Sequence, residues 1–229
     1  MPETLPAEER QKGGTRAAVR TLRLLCSDRV FTGYALAGGL AFAAMFVYIT
    51  GSPFVLEGIY GLSAQEFSGV FALNALGIVA ASHASARLAA RLSPRTLLAA
   101  GLTASTLGGA LLLVATLAGL GLAGVLPALF FVVAGIGLTM PNATVLALSG
   151  RPSHTVGSAS ALLGTAQFAL GGVAAPLAGV AGRQTGLPMA VVVAILSGGA
   201  LVCPYGHYPQ RLDIRVKEHE LSPLSLKER

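Results

Sequence analysis

Six apolar runs, each long enough to cross a bilayer as a helix, dominate this chain: Val30–Gly51, Phe67–Ala89, Leu97–Gly119, Gly124–Leu148, Ser158–Gly182 and Leu187–Tyr205. A hydrocarbon core of about 30 Å takes about 20 helical residues to cross. The runs are too long and too uniformly apolar for amphipathic helices of a water-soluble domain. Barrel strands would be about ten residues each with alternating polarity, a pattern this chain does not show. Backbone amides in lipid find no water, so a helix that bonds its own backbone is the remaining solution. The sequence therefore predicts an all-α membrane protein with six transmembrane helices. Charged residues make up 11% of the chain, against about 25% in a soluble domain. The 29 glycines fit the same class, because glycine lets membrane helices approach backbone to backbone.

Lysine and arginine then orient the spans. Of the 16 basic residues, all but Arg183 fall before the first run, from the end of the second to the start of the third, between the fourth and fifth, or after the sixth. Cytoplasmic loops of membrane proteins carry the excess of Lys and Arg. Both termini are therefore expected in the cytoplasm, with a bacterial inner membrane as the location. Residues 1–29 read as a flexible, charged cytoplasmic segment without a signal-peptide core. Residues 30–205 form the membrane domain, and 206–229 a polar tail. The basic cluster Arg16, Arg20 and Arg23 reads as a topology determinant, in preference to a lipid site.

Within the spans the informative residues are polar. Asn74, Asn142 and Gln167 sit well inside the second, fourth and fifth runs. A buried amide in hydrocarbon is costly unless bonded, so each is expected to meet a neighbouring helix or a water-filled cavity. Three amides on separate helices favour a cavity that meets substrate near the bilayer midplane. Phe46 and Tyr48 in the first run, with Met45 and Phe71 nearby, are expected along the same wall. His83 reads as an interfacial histidine. None of the ten acidic residues falls in the middle of a run, so no intramembrane carboxylate for proton coupling is visible.

Packing and bending leave their own marks. Gly101, Ser105 and Gly109 recur every four residues in the third run, and Gly171, Ala175 and Gly179 in the fifth. Such small-residue stripes are expected to seat neighbouring helices. Pro141 and Pro176 each remove an amide donor and are expected to kink their helices.

Several chemistries are absent. The net charge of +6 resides in short loops and forms no stripe with interleaved aromatics, so nucleic acid is not an expected partner. No phosphate-binding loop, metal-ligand spacing or catalytic arrangement is present, and neither a cofactor nor an enzymatic activity is expected. Cys26 and Cys203 imply no disulfide.

In order along the chain, Ser52-Pro53-Phe54-Val55, Tyr60-Gly61-Leu62-Ser63 and Phe71-Ala72-Leu73-Asn74-Ala75 resemble the seventh-to-eighth-helix region of the Bcr/CflA drug-resistance transporters. These are drug:proton antiporters of the major facilitator superfamily. Met140-Pro141-Asn142-Ala143 resembles that family's tenth helix, and Gly157-Ser158-Ala159-Ser160-Ala161-Leu162-Leu163-Gly164 its eleventh. The basic turn from Arg87 to Arg95 resembles a degenerate copy of the superfamily's cytoplasmic loop motif, without its glycine and aspartate. Gly171, Gly172 and Pro176 resemble a pseudo-repeat of the antiporter signature of the fifth helix.

The resemblance spans about residues 24–205 and implies one half, the C-terminal six helices, of a twelve-helix major facilitator fold. Such halves are built from three-plus-three inverted repeats. The implied function is efflux of drugs or other small amphipathic compounds by alternating access, driven by protons. The family's fifth-helix signature and its N-terminal acids have no counterpart here. Expected partners are the lipid bilayer and, once an N-terminal half is present, a small amphipathic substrate and protons. A truncated or non-transporting six-span protein is the alternative.

Overall fold

The computed structural model describes residues 15–179 and 185–204. Gly182, Arg183, Tyr205 and the 206–229 tail, all named above, lie outside the described residues. Every regular element among the described residues is helical: α1 (Thr15–Ser27), α2 (Arg29–Pro53), α3 (Ala64–Leu88), α4 (Pro94–Leu117), α5 (Gly121–Leu148), α6 (Ser153–Ala174) and α7 (Leu187–Val202). A π-helical stretch, Phe54–Ile59, prolongs α2, and a 3-10 stretch, Ala175–Gly179, prolongs α6.

The helix starts follow local chemistry. Asp28 caps α2 by accepting from the amides of Val30 and Phe31. Ser63 and Glu66 form a reciprocal capping box at the start of α3. Ser93 caps α4, with Pro94 at its first position. Each side chain satisfies amides that the first helical turn leaves without a partner. The capping box moves the start of α3 three residues ahead of the expected Phe67, a shift that Ser63-x-x-Glu66 already encodes.

Three expectations are refined. Among the described residues, five helices are long and apolar enough to cross a membrane, and a sixth apolar helix is shorter. The sixth run forms the 16-residue α7, about 24 Å long at 1.5 Å per residue and so shorter than a hydrocarbon core. The first span does not stop at Gly51. Beyond Pro53 the helix widens, the Tyr60 amide bonding the Val55 carbonyl at 3.1 Å, and Glu57 rides on this prolongation. A wider turn re-satisfies backbone groups released by a proline. Thirdly, the segment before Val30 is not irregular throughout, because α1 occupies Thr15–Ser27. Helix α5 is α-helical through Pro127 and Pro141. Pro176, by contrast, coincides with the change of α6 into a 3-10 helix.

Helices α2, α5, α4 and α7 close a ring in which each packs on the next. Outside it, α3 packs chiefly on α5 and α6 chiefly on α2. The same pattern results when α2, α3 and α4 exchange roles with α5, α6 and α7, which is the symmetry expected of a three-plus-three repeat. Two apolar cores fill the ring. One joins Tyr48, Leu112, Leu129, Val133 and Val193; the other joins Phe31, Leu98, Leu102, Ile136 and Leu163.

Small residues set the helix spacing, but the expected stripe divides. A Cβ on Gly101 would meet the Gly135 carbonyl at 2.8 Å, and one on Gly108 the Val132 amide at 2.7 Å, so both face α5. Ser105 donates to the Val132 carbonyl at 3.0 Å. Gly109 turns instead to α7, where a Cβ would lie 3.2 Å from the Ala194 Cα. The two faces arise because positions 108 and 109 are 100° apart on the helix. On α6, a Cβ at Gly171 would lie 3.1 Å from the Phe46 ring, whereas Gly172, and Gly179 in the 3-10 stretch, face open space.

Candidate functional site

Two aromatic groups extend from α2. Tyr48 is buried at 2% exposure, stacks on Phe71 with ring centres 5.9 Å apart, and accepts a 2.9 Å hydrogen bond from Asn74 Nδ2. This pair joins α2 to α3. In the other direction Phe42, Phe46 and Phe168 form an aromatic group joining α2 to α6, Phe168 edge-on to the other two, with centroids 5.0–6.0 Å apart. Phe168 leaves 63% of its surface exposed, so this second group reaches the outside of the bundle.

The amides differ in how they are held. Asn142 donates from Nδ2 to Ser85 Oγ at 2.8 Å and to the Leu138 carbonyl at 2.7 Å. Both Asn142 and Ser85 are buried, which ties α5 to α3. Gln167 is half-buried on α6, and its Nε2 would lie 4.0 Å from a Cβ on Gly38, which faces Ala143 of α5 at 3.4 Å. Of the three amides, it alone lacks a hydrogen bond to the described residues, and it sits beside the contact of α2 with α5. The five expected cavity residues are thus not one cluster. They form three stations along α2: Tyr48 with Asn74, Phe46 with its aromatic neighbours, and Gln167 close to the Asn142 turn of α5.

His83 Nδ1 lies 2.9 Å from the Val79 carbonyl of its own helix, a distance at which the ring nitrogen donates. Among the described residues no group of histidine, cysteine or acidic side chains has the spacing to hold a metal ion.

One polar contact was not foreseen. Arg151, just past α5, reaches across to the start of α2. Its Nη2 donates to Asp28 Oδ2 at 2.7 Å, its Nε donates to the Ala147 carbonyl at 2.9 Å, and its guanidinium lies 4.8 Å from the Phe31 ring centre. An aspartate just before an apolar helix announces the cap. No local pattern announces a partner 123 residues away.

The two buried-or-not amides predict opposite outcomes. Asn142→Leu leaves Ser85 Oγ buried without its partner and is expected to cost about 1–2 kcal/mol of stability. Gln167→Leu breaks no hydrogen bond and is expected to stay within about 0.5 kcal/mol of the parent. Unfolding of the purified proteins in mixed micelles, followed by circular dichroism, separates them; equal losses would contradict the assignment.

A family model described as the Major Facilitator Superfamily matches residues 1–176. An uncharacterized MFS-type transporter, YdgK, of Bacillus subtilis (strain 168) is 35% identical over 163 residues, covering 71% of this chain and 40% of that protein. A bicyclomycin resistance protein homolog of Haemophilus influenzae is 27% identical over 163 residues, covering 71% of this chain and 41% of that protein. The chain thus aligns with about two fifths of the length of each relative.

Proposed function

This chain belongs to the Major Facilitator Superfamily, and from that premise we propose that it is the C-terminal six-helix half of a proton-driven exporter resembling the Bcr/CflA group. The coarser statement needs no proposal: the chain belongs to a family of multi-pass membrane transporters. The drug-export reading draws support from the bicyclomycin resistance homolog, at 27% identity, and from the short motifs of the seventh, tenth and eleventh helices.

The observation that carries the half-transporter reading is the uneven burial of the spans. In α3 only 11% of the apolar window is buried, and in α6 only 17%, against 61% in α2 and 44% in α4 and α5. The poorly buried pair are the two helices outside the ring, and they carry Asn74 and Gln167. A second six-helix half would cover them and close a cavity over the stations on α2. Its walls combine small apolar and aromatic residues with a few amides, which suits small amphipathic compounds.

Cells producing this chain alone are expected to retain ethidium as vector controls do. Joined to an N-terminal six-helix half, it is expected to export the dye until a protonophore collapses the gradient. Export by the chain alone would overturn the partner requirement, and export indifferent to the protonophore would overturn proton coupling.

The basic asymmetry supports cytoplasmic termini in an inner membrane. Ala90 is exposed in the basic turn between α3 and α4. In a Cys26→Ser, Cys203→Ser background, a membrane-impermeant maleimide is expected to label Ala90→Cys in inverted vesicles and not in intact spheroplasts. The reverse pattern would invert the topology.

A further inference from the structure

Helix α1 is separated from the first membrane span by Asp28 alone. That residue has φ −78° and ψ 109°, an extended conformation between two helices. The end of α1 is therefore held at the level where α2 enters the bilayer. One side-chain bond fixes it there: Thr32 Oγ1 of α2 donates to the Cys26 carbonyl at 3.0 Å. Leu25 anchors the helix in the core, at 3% exposure, together with Phe31 and Tyr34.

The bundle covers only part of α1's apolar face. Leu22 and Cys26, one turn apart on the stripe beside Leu25, remain exposed. Next to them around the helix come Arg23 and then Arg20, both exposed. Leu24 is also exposed, but lies across the basic stripe and outside this face. The order around the helix is thus a bundle-facing residue, an uncovered apolar stripe and a basic stripe, at the height of a membrane surface. An amphipathic helix of this kind lies in the plane of the interface, apolar side chains at the acyl boundary and cations at the headgroups.

We infer that α1 is an interfacial helix that holds anionic phospholipid: Leu22 and Cys26 rest on the acyl chains, and Arg20 and Arg23 contact the headgroup phosphates. Its position would then depend on membrane charge. Each arginine near an anionic surface shifts such an equilibrium about fivefold, so loss of both shifts it about 30-fold. The inference depends on the chain being membrane-embedded, not on its transport activity or its orientation.

The test places a spin label on Cys26 of the full chain in a Cys203→Ser background. The protein is reconstituted into vesicles of the same composition in both leaflets, either neutral phosphatidylcholine or an equal mixture with phosphatidylglycerol. Collision with oxygen reports the acyl region, and collision with a nickel chelate reports water. In the mixed vesicles the label is expected to be accessible to oxygen and shielded from nickel. Arg20→Gln with Arg23→Gln, neutral vesicles, or 1 M salt, where the screening length falls to about 3 Å, are each expected to move it towards water. A label whose environment ignores lipid charge, salt and both arginines overturns the inference, whether it is wet, in lipid or covered by protein. The salt series needs no arginine variant, so misfolding of that variant leaves the test intact.

Discussion

Gly135→Val is expected to destabilise the bundle by about 3 kcal/mol or more, because overpacking that cannot relax falls at the upper end of its range. A Cβ at Gly135 would collide with Ser105 Oγ and lie 2.7 Å from the Gly101 carbonyl. Facing it, a Cβ at Gly101 would lie 2.8 Å from the Gly135 carbonyl. Backbone opposes backbone on both sides, so no rotamer change relieves the contact. In lipid this closeness is also what holds the helices together, since dispersion and interhelical hydrogen bonds replace the hydrophobic effect. Gly101→Val should therefore behave like Gly135→Val, and each should cost the Ser105–Val132 bond as well. Gly172→Val, where nothing lies within 4 Å, is the control. Thermal unfolding in detergent should show a large fall for the first two and none for the third. A similar fall for Gly172→Val would mean that loss of glycine, and not the seam, is responsible.

That seam shows how far the sequence could be read. The four-residue spacing of Gly101, Ser105 and Gly109 predicts a close-packing face on this helix. It does not say that Gly108 joins the α5 face while Gly109 serves α7. Spacing along one helix specifies a face; the assignment of neighbours depends on where the other helices lie.

The second prediction concerns the bridge from α5 to α2. Arg151→Ala removes the ion pair with Asp28, the bond to the Ala147 carbonyl and the contact with the Phe31 ring. The arginine side chain is 15% exposed and the aspartate 40%, so solvent screens part of the attraction. The expected loss is about 1–2 kcal/mol. Arg151→Lys should recover part of it, since an ammonium cannot serve the carboxylate and the carbonyl with a guanidinium's fork.

Acid should erase part of this bridge. Burial pushes the Asp28 carboxyl up, but the Phe31 amide, the Arg151 guanidinium and the Val30 amide outweigh it and hold the carboxyl below its ordinary value. A carboxylate with a lowered folded value stabilises the fold at all pH above its unfolded value. That contribution fades as pH falls through about 4 and is gone below the lowered folded value. Asp28→Asn keeps an N-cap and loses the charge. The stability gap between parent and Asp28→Asn should be constant near neutrality and close on acidification below about pH 4. A gap that widens in acid would have the sign wrong and would remove the carboxylate from the account.

The candidate site was legible in part. Asn74, Asn142 and Gln167 stand out because amides are costly in hydrocarbon, whatever the fold. Their partners were hidden. Tyr48 and Ser85 lie on other helices, and only packing separates a bonded amide such as Asn142 from an unbonded one such as Gln167. Nor did the apolar run at residues 187–205 disclose that its helix would end at Val202, because hydropathy measures composition and not where a helix stops.

The six apolar runs of the opening therefore keep their meaning as helices, five of them long enough to span and the sixth shorter among the described residues. By itself the sequence determined the class, the helical content and the placement of basic residues, since each depends on the cost of moving individual groups from water to lipid. Only the tertiary structure decided which helices form the ring, which two stand outside it and which distant residues, such as Asp28 and Arg151, meet. Those outcomes depend on shape matching between segments far apart in the chain, where no local preference carries the information.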